Sequence, residues 1–562
     1  MRREVSVVNK KVCSFPILFA LLALLIGTCA VVFPASAQAA PTSTGSITVS
    51  GTVARSYDAF QIFSANVVDG DSDAKIATDL AWASDAARDA VLPVLHSAGM
   101  PNSQTTAQEA AEWLNTDSHL TSALSAQLAR SLQGSDAESV ALNAGTTAEL
   151  SCGYWLIVAD DAAIAEGEAG TAPIMVLVGG SAVTVKPKAA TPKVTKHVLE
   201  DSTAAWQKAA DATVGDDLYW RLSATVPAGL TAYDTYTVRF VDTMSAGLDS
   251  SKVVASMRVY VAVGTDGGFD AVSAGKDGRA GTEPAKGWTD ITAQCATKVA
   301  ADGTFTVRTG DLIAALGGAD AFTAGARVVA VYNAPLNSAC NHGIAKGNPN
   351  EVYLRYPRSP FADQSGDAGF THTPSDDACA YTWDLALTKR GSDGDKPLAG
   401  AVLSIADDRG RTLSADGTWD AEGKATVTTG EDGRVTVSGV DSGKLEVREL
   451  KAPKGYTAFE GARSVTVKSE GLDVDQVAAA KPKLTITAES PLRADSADGS
   501  TGSLEASLIN TPTGTPPSIT AGGFMPSTGD MAMYAAAAAA VAGAALIVVA
   551  LLVKRGGGSH KE

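Results

Sequence analysis

Apolar and polar residues alternate over short stretches through most of this chain. Successive side chains of a strand point to opposite faces, so such alternation predicts strands with one buried face. Runs of this kind lie between turn signals such as Asp302-Gly303, Asp416-Gly417 and Asp432-Gly433. Short strands with regular turns predict β-sandwich modules. The first third differs. It opens with strand-like Ile47, Val49 and Val53, but Ala83 to Leu92 is rich in Ala and predicts a helix that Pro93 ends or kinks. Ala107, Ala110, Ala111, Leu114, Leu120, Leu124 and Leu128 recur at helical spacing and predict a helix over Thr105 to Leu132. Strands are expected again at Tyr154–Val158, Ile174–Val178 and Ala182–Val185. The expected fold class is therefore mostly β: tandem immunoglobulin-like β-sandwich domains, the N-terminal one with inserted helices.

Both ends read as processing signals. Arg2, Arg3, Lys10 and Lys11 precede an apolar run from Phe15 to Phe33, then small residues around Ala35-Ser36-Ala37-Gln38-Ala39. That is the pattern of a secretory signal peptide over 1–39, cleaved after Ala37 or Ala39. Near the other end, Met531 to Val553 is almost wholly apolar and uncharged, long enough to cross the roughly 30 Å hydrocarbon layer of a bilayer. The basic tail 554–562, with Lys554, Arg555 and Lys561, should stay inside. Between these ends the expected domains are 40–188, 189–377 and 378–513, followed by a linker and short motif over 514–530. The first boundary is the lysine-rich, two-proline stretch Lys186-Pro187-Lys188-Ala189-Ala190-Thr191-Pro192-Lys193. The contrast is sharp, because Lys75 is the only lysine from Pro41 to Val185.

A net charge of −17 and a pI near 4.9 argue against a nucleic-acid partner, which needs basic patches. Cys152, Cys295, Cys340 and Cys379 remain after signal removal. One disulfide is expected among Cys295, Cys340 and Cys379, with Cys152 free and the pairing open. The six histidines are scattered without a nucleophile beside them, so no enzyme is expected. Asp69, Asp71 and Asp73 alternate in an acidic loop, but the glycine and distal glutamate of a hand-type calcium loop are missing. It reads as a solvated turn, and neither a metal site nor a cofactor is expected.

Strand parity exposes the candidate chemistry. Val194, Lys196 and Val198 share a face, so Lys196 points inward with the valines. Tyr236, Val238, Phe240 and Asp242 share another, and Asn350, Val352 and Leu354 a third. The next domain repeats the set: Leu385, Leu387 and Lys389; Leu445, Val447 and Glu449; Ala506, Leu508 and Asn510. Each domain thus places a Lys, an acid and an Asn on apolar strand faces. Asn348 has the parity of Asn350 and is its rival. Burial favours neutral forms, lowering the lysine pKa and raising that of the acid. A neutral amine can attack the Asn carboxamide, expel ammonia and leave a Lys–Asn isopeptide bond. The acid, Asp242 or Glu449, relays protons and is unchanged.

These residues resemble a known family. Leu445-Glu446-Val447-Arg448-Glu449-Leu450-Lys451-Ala452-Pro453-Lys454-Gly455-Tyr456 resembles the E-box of collagen-adhesin-type isopeptide domains, and Pro397-Leu398-Ala399-Gly400-Ala401 their first turn. Asp242-Thr243-Met244-Ser245-Ala246-Gly247-Leu248 and Asn348-Pro349-Asn350-Glu351-Val352-Tyr353-Leu354 resemble the isopeptide domain of Gram-positive backbone pilins. Met525-Pro526-Ser527-Thr528-Gly529, before the apolar span, resembles the LPxTG sorting signal, with Met525 for Leu. The resemblance implies a covalently polymerised pilus (fimbria) subunit serving adhesion, located on the cell wall, with a membrane-anchored precursor. A sortase would cut after Thr528 and join its carbonyl to a lysine of another copy, a minor pilin or peptidoglycan. Val183-Thr184-Val185-Lys186-Pro187-Lys188 resembles the pilin motif, which makes Lys188 the acceptor, with Lys186 as the alternative. The competing reading is a wall-anchored monomeric adhesin or minor pilin, linked only to peptidoglycan.

Overall fold

The computed structural model describes residues 43–51, 55–70, 74–116, 119–160, 164, 167–187, 191–227, 230–262, 287–322 and 326–514. The signal peptide, Lys188, Asp71, Asp73, Met525–Gly529, the apolar span and the basic tail lie outside the described residues. The chain is mostly β, as the alternation predicts.

In the first domain, Ser56–Asp69 is the central strand, flanked by Lys75–Trp82, Ser139–Asn143 and Gly153–Ala159, with Ile174–Val178 beyond. Its two faces serve two cores. Tyr57, Ala59, Trp155 and Ile157 pack against a small sheet of Thr44–Val49, Thr147–Ser151 and Val183–Val185. Phe60, Ile62, Leu156 and Val158 face three helices, α1 (Asp85–Ser97), α2 (Ala107–Asn115) and α3 (Ser122–Gln133). Of the two outcomes expected at Pro93, an end to the helix is excluded, and one further helix expectation is corrected. α1 runs through Pro93 and ends four residues later. Val91 and Leu95, both fully buried, hold the helix on either side of the missing N–H. The helix expected over Thr105–Leu132 is two. Thr106 caps α2 in a reciprocal pair with Glu109, and the Thr121 hydroxyl accepts from Leu124 N at 3.1 Å to start α3. Both halves keep the helical period, so periodicity alone did not reveal the break.

The second domain is a sandwich. One sheet runs Ala205–Gln207, Val194–Glu200, Tyr219–Thr225, Arg327–Asn333, Arg258–Ala262 and Trp288–Asp290. The other contains Ala209–Asp211, Asp376–Tyr381, Asn348–Pro357, Arg239–Met244, Thr304–Arg308 and Ala296–Val299. Trp220, Leu222, Tyr332, Phe240, Phe305, Val352 and Leu354 fill the space between. The boundary expected at 377/378 falls inside the strand Asp376–Tyr381, which pairs with Asn348–Val352. The third domain therefore begins with the strand Trp383–Gly391. Its first sheet holds that strand between Arg434–Val440 and Ser503–Pro512; its second is built on Val402–Ala406, Gly443–Lys451 and Ala462–Glu470.

Neighbouring domains are tied by specific contacts. Phe361 of the second domain inserts into the helical core of the first. Gly167 N donates to His372 O and Gly170 N to Arg358 O, each at 2.7 Å. Between the second and third domains, Trp383 Nε1 donates to Asp211 Oδ2 at 2.6 Å, and Arg411 Nη2 meets Asp216 Oδ2 at 2.8 Å.

The expected disulfide is not formed: Cys152, Cys295, Cys340 and Cys379 are all free thiols. Strand parity separates two of the candidates. Ala378 and Ala380 face the second domain's core, where Cys340 and Cys295 pack, whereas Cys379 faces the third domain's core. Burial pushes the Cys379 thiol up to about 11.

Candidate functional site: two buried lysine–acid–asparagine clusters

In the second domain, Val194, Lys196 and Val198 all face inward, and Lys196 has no exposed surface. Its Nζ pairs with Asp242 Oδ2. Asp242 lies on Arg239–Met244, opposite Val352, while Met244 lies opposite Asn350. Asp242 and Asn350 are thus diagonal neighbours on one face of adjacent strands. The lysine comes from the facing sheet. Burial pushes Lys196 down to about 8 against the pull of Asp242, and burial raises the Asp242 carboxyl although Lys196 opposes it. Both shifts favour the neutral forms.

Sequence parity missed one member. Tyr332, on Arg327–Asn333 in the lysine's sheet, is fully buried. Its hydroxyl lies 3.0 Å from Lys196 Nζ, 3.0 Å from Asp242 Oδ2 and 2.8 Å from Asn350 Nδ2. The signal was a tyrosine on an apolar strand, whose hydroxyl needs a partner once buried. Asp242 Oδ1 and Asn350 Oδ1 are buried without a partner. The rival Asn348 differs. It is equally buried, but its Oδ1 accepts from Asn341 N at 2.8 Å, and its Nδ2 donates to the carbonyls of Asn341 and Ala380. Asn348 is occupied in bracing a loop, whereas Asn350 meets the cluster.

The third domain makes a second cluster with a different layout. Lys389 is fully buried and pushed down to about 8, chiefly by burial. It lies on Trp383–Gly391, which pairs in parallel with the strand of Asn510; Gly391 is opposite Asn510. Glu449 reaches over from the other sheet. Its Oε1 lies 3.4 Å from Lys389 Nζ and accepts from Asn510 Nδ2 at 2.8 Å, while Oε2 accepts from Phe459 N at 3.2 Å. Asn510 Oδ1 is buried without a partner. The segment after Glu449 fixes this spacing. Gly455 has φ +86°, which suits glycine, and turns the chain so that Tyr456 pairs with Pro512 on the asparagine strand.

Lysine and asparagine are therefore on facing sheets in the second domain and on adjacent strands in the third. In the first domain, Lys75 sits at a strand end and donates to Ser181 O at 2.6 Å, with Asp69 beside it. Lys186 is exposed, just beyond Val183–Val185.

Residues 384–481 match the family model of the SpaA prealbumin-like fold domain. Over 134 residues, 22% of this chain, the sequence is 31% identical to the trypsin-resistant surface T6 protein of Streptococcus pyogenes serotype M6. That match spans 23% of the T6 protein, under a quarter of its length. Among solved structures, the T6 backbone pilin of serotype M6 S. pyogenes is similar at 16% identity and a TM-score of 0.47, over 84% of this chain and 98% of that one. The major pilin SpaD of Corynebacterium diphtheriae is similar at 15% identity and a TM-score of 0.41, over 84% and 98%. The major pilin BcpA of Bacillus cereus follows at 11% and 0.38, over 84% and 99%.

Proposed function

We propose that this chain is the structural subunit of a covalently polymerised surface pilus, hardened by two self-formed isopeptide bonds, Lys196–Asn350 and Lys389–Asn510. The observation that carries the reading is the pair of buried Lys–acid–Asn clusters in consecutive domains. An unpaired buried charge is costly, and a buried ion pair is seldom a gain over apolar packing. A cluster that reacts removes that problem, because the product amide is neutral.

The step balances without a co-reactant. The neutral lysine Nζ attacks Asn Cγ; the Cγ–Nδ2 bond breaks, an Nζ–Cγ bond forms, and ammonia leaves. One proton passes from Nζ to the departing nitrogen, with Asp242 or Glu449 as carrier. Packing holds nucleophile and carbonyl together and supplies the effective concentration. Each molecule reacts once, so this is maturation and not turnover.

Polymerisation rests on residues at the two ends of the force path. A sortase cuts between Thr528 and Gly529 and joins Thr528 to Lys188 of the next copy; the last copy is joined to peptidoglycan. Tension then enters each subunit at Lys188 and leaves at Thr528, crossing the second and third domains, which carry the clusters. The first domain hangs outside that path and has no such cluster among its described residues. Immunoblots of cell-wall extracts test the assembly. A ladder of SDS-resistant polymers is expected; a single band would mean the monomeric wall-anchored adhesin instead.

A further inference from the structure

We infer that Tyr332 is a catalytic proton relay for the second domain's cross-link, made necessary by the short reach of an aspartate. The inference rests on the proposed Lys196–Asn350 bond.

The two clusters solve one proton-transfer problem with different parts. The proton must travel from lysine Nζ to the departing asparagine nitrogen. In the third domain a single oxygen, Glu449 Oε1, stands near both ends: 3.4 Å from Lys389 Nζ and 2.8 Å from Asn510 Nδ2. In the second domain, Asp242 Oδ2 contacts the lysine, but Asn350 Nδ2 donates to Tyr332 Oη at 2.8 Å and not to the aspartate. Tyr332 Oη in turn lies 3.0 Å from Asp242 Oδ2. The aspartate is one methylene shorter, and a phenol hydroxyl fills the gap.

A hydroxyl both donates and accepts, so it can pass a proton along. As the Asn350 Cγ–Nδ2 bond breaks, the Tyr332 hydroxyl proton moves to Nδ2, completing ammonia. The protonated Asp242 restores the tyrosine. Asp242 then takes the surplus proton from Lys196 Nζ. Both carriers end as they began. Burial raises the Tyr332 phenol well above its ordinary value, so it does not act as a free phenolate and must hand on and receive its proton together. Its ring is held by Phe305, edge-on at 4.8 Å between centroids. That contact survives replacement by Phe, which removes the relay oxygen alone.

The test is a time course of intact mass and cross-linked peptide mapping on the mature chain, with the third domain's bond as an internal clock. Wild type should lose two molecules of ammonia at comparable rates. Tyr332→Phe should form Lys389–Asn510 normally and Lys196–Asn350 at least tenfold more slowly. Tyr332→Phe combined with Asp242→Glu, which imitates the third domain's direct reach, should recover most of the rate. Tyr332→Phe at the wild-type rate would overturn the relay. So would a double variant as slow as the single one, because the defect would then lie in packing. A wild-type chain lacking the Lys196–Asn350 peptide would instead sink the cross-link itself.

Discussion

Replacing Asn510 with Ala removes the electrophile of the third domain and leaves its lysine and glutamate in place. Two consequences follow. The first is entropic. The Lys389–Asn510 bond closes a loop of more than a hundred residues, and cross-linking such a loop adds roughly 5 kcal/mol by restricting the unfolded chain. For a domain of this size 1 kcal/mol moves the midpoint by about 4 °C, so the third domain should melt roughly 20 °C lower. The second is electrostatic. The variant keeps a free, fully buried Lys389, pushed down from 10.5 to about 8 by burial despite the nearby Glu449. Between those values the unfolded state binds the extra proton, so stability must rise with pH. The variant should gain up to about 3 kcal/mol on going from pH 8 to 10.5, because each tenfold difference in proton affinity is worth about 1.4 kcal/mol. In the cross-linked chain that nitrogen is an amide and contributes no such slope. Calorimetry of the mature chain across this window, with intact mass as the covalent readout, checks both. A variant that melts within a few degrees of wild type, or shows the same ammonia deficit, would refute the reasoning.

Three further outcomes are expected. Lys188→Arg keeps the charge but loses the reactive amine; polymers should vanish from wall extracts while single-subunit anchoring persists, and their loss only in Lys186→Arg would move the acceptor by two residues. At the junction of the second and third domains, Glu200 is raised to about 8 by burial and by Asp211, and Asp201 and Asp441 are also raised, chiefly by burial. Arg409, Arg411, Asp216, Asp407, Asp408 and Lys444 line one cleft with Asp201 and Asp441. A carboxyl raised on folding contributes stability while protonated, so the Glu200 contribution should be fully present below pH 4.5 and be lost as pH rises through about 8; Glu200→Gln should flatten that dependence in a melting series. Phe361→Ala should loosen the first domain by about 3–5 kcal/mol and speed its proteolysis, with the two cluster-bearing domains left intact; a first domain that outlasts them would contradict the force-path reading.

Much of the chemistry was legible from local pattern. A strand's period of two is a property of the backbone, so the inward aim of Lys196, Asp242, Lys389 and Glu449 followed from the apolar residues two places away. The same local rule could not choose between Asn348 and Asn350. They share a face, and only the loop of Asn341, folding back onto Asn348, separates their roles. Nor could it find Tyr332, whose meaning depends on a strand far along the chain being laid across the core from Asp242. The strand order that sets Lys196 and Asn350 on facing sheets, yet Lys389 and Asn510 on adjacent strands, is likewise non-local. So is the sheet that puts Cys379 and Cys340 on opposite sides. Sequence alone determined which way each side chain points, because that depends on its nearest neighbours. Tertiary structure decided what it meets there, because register and strand order are set by contacts between segments that the chain brings together only on folding.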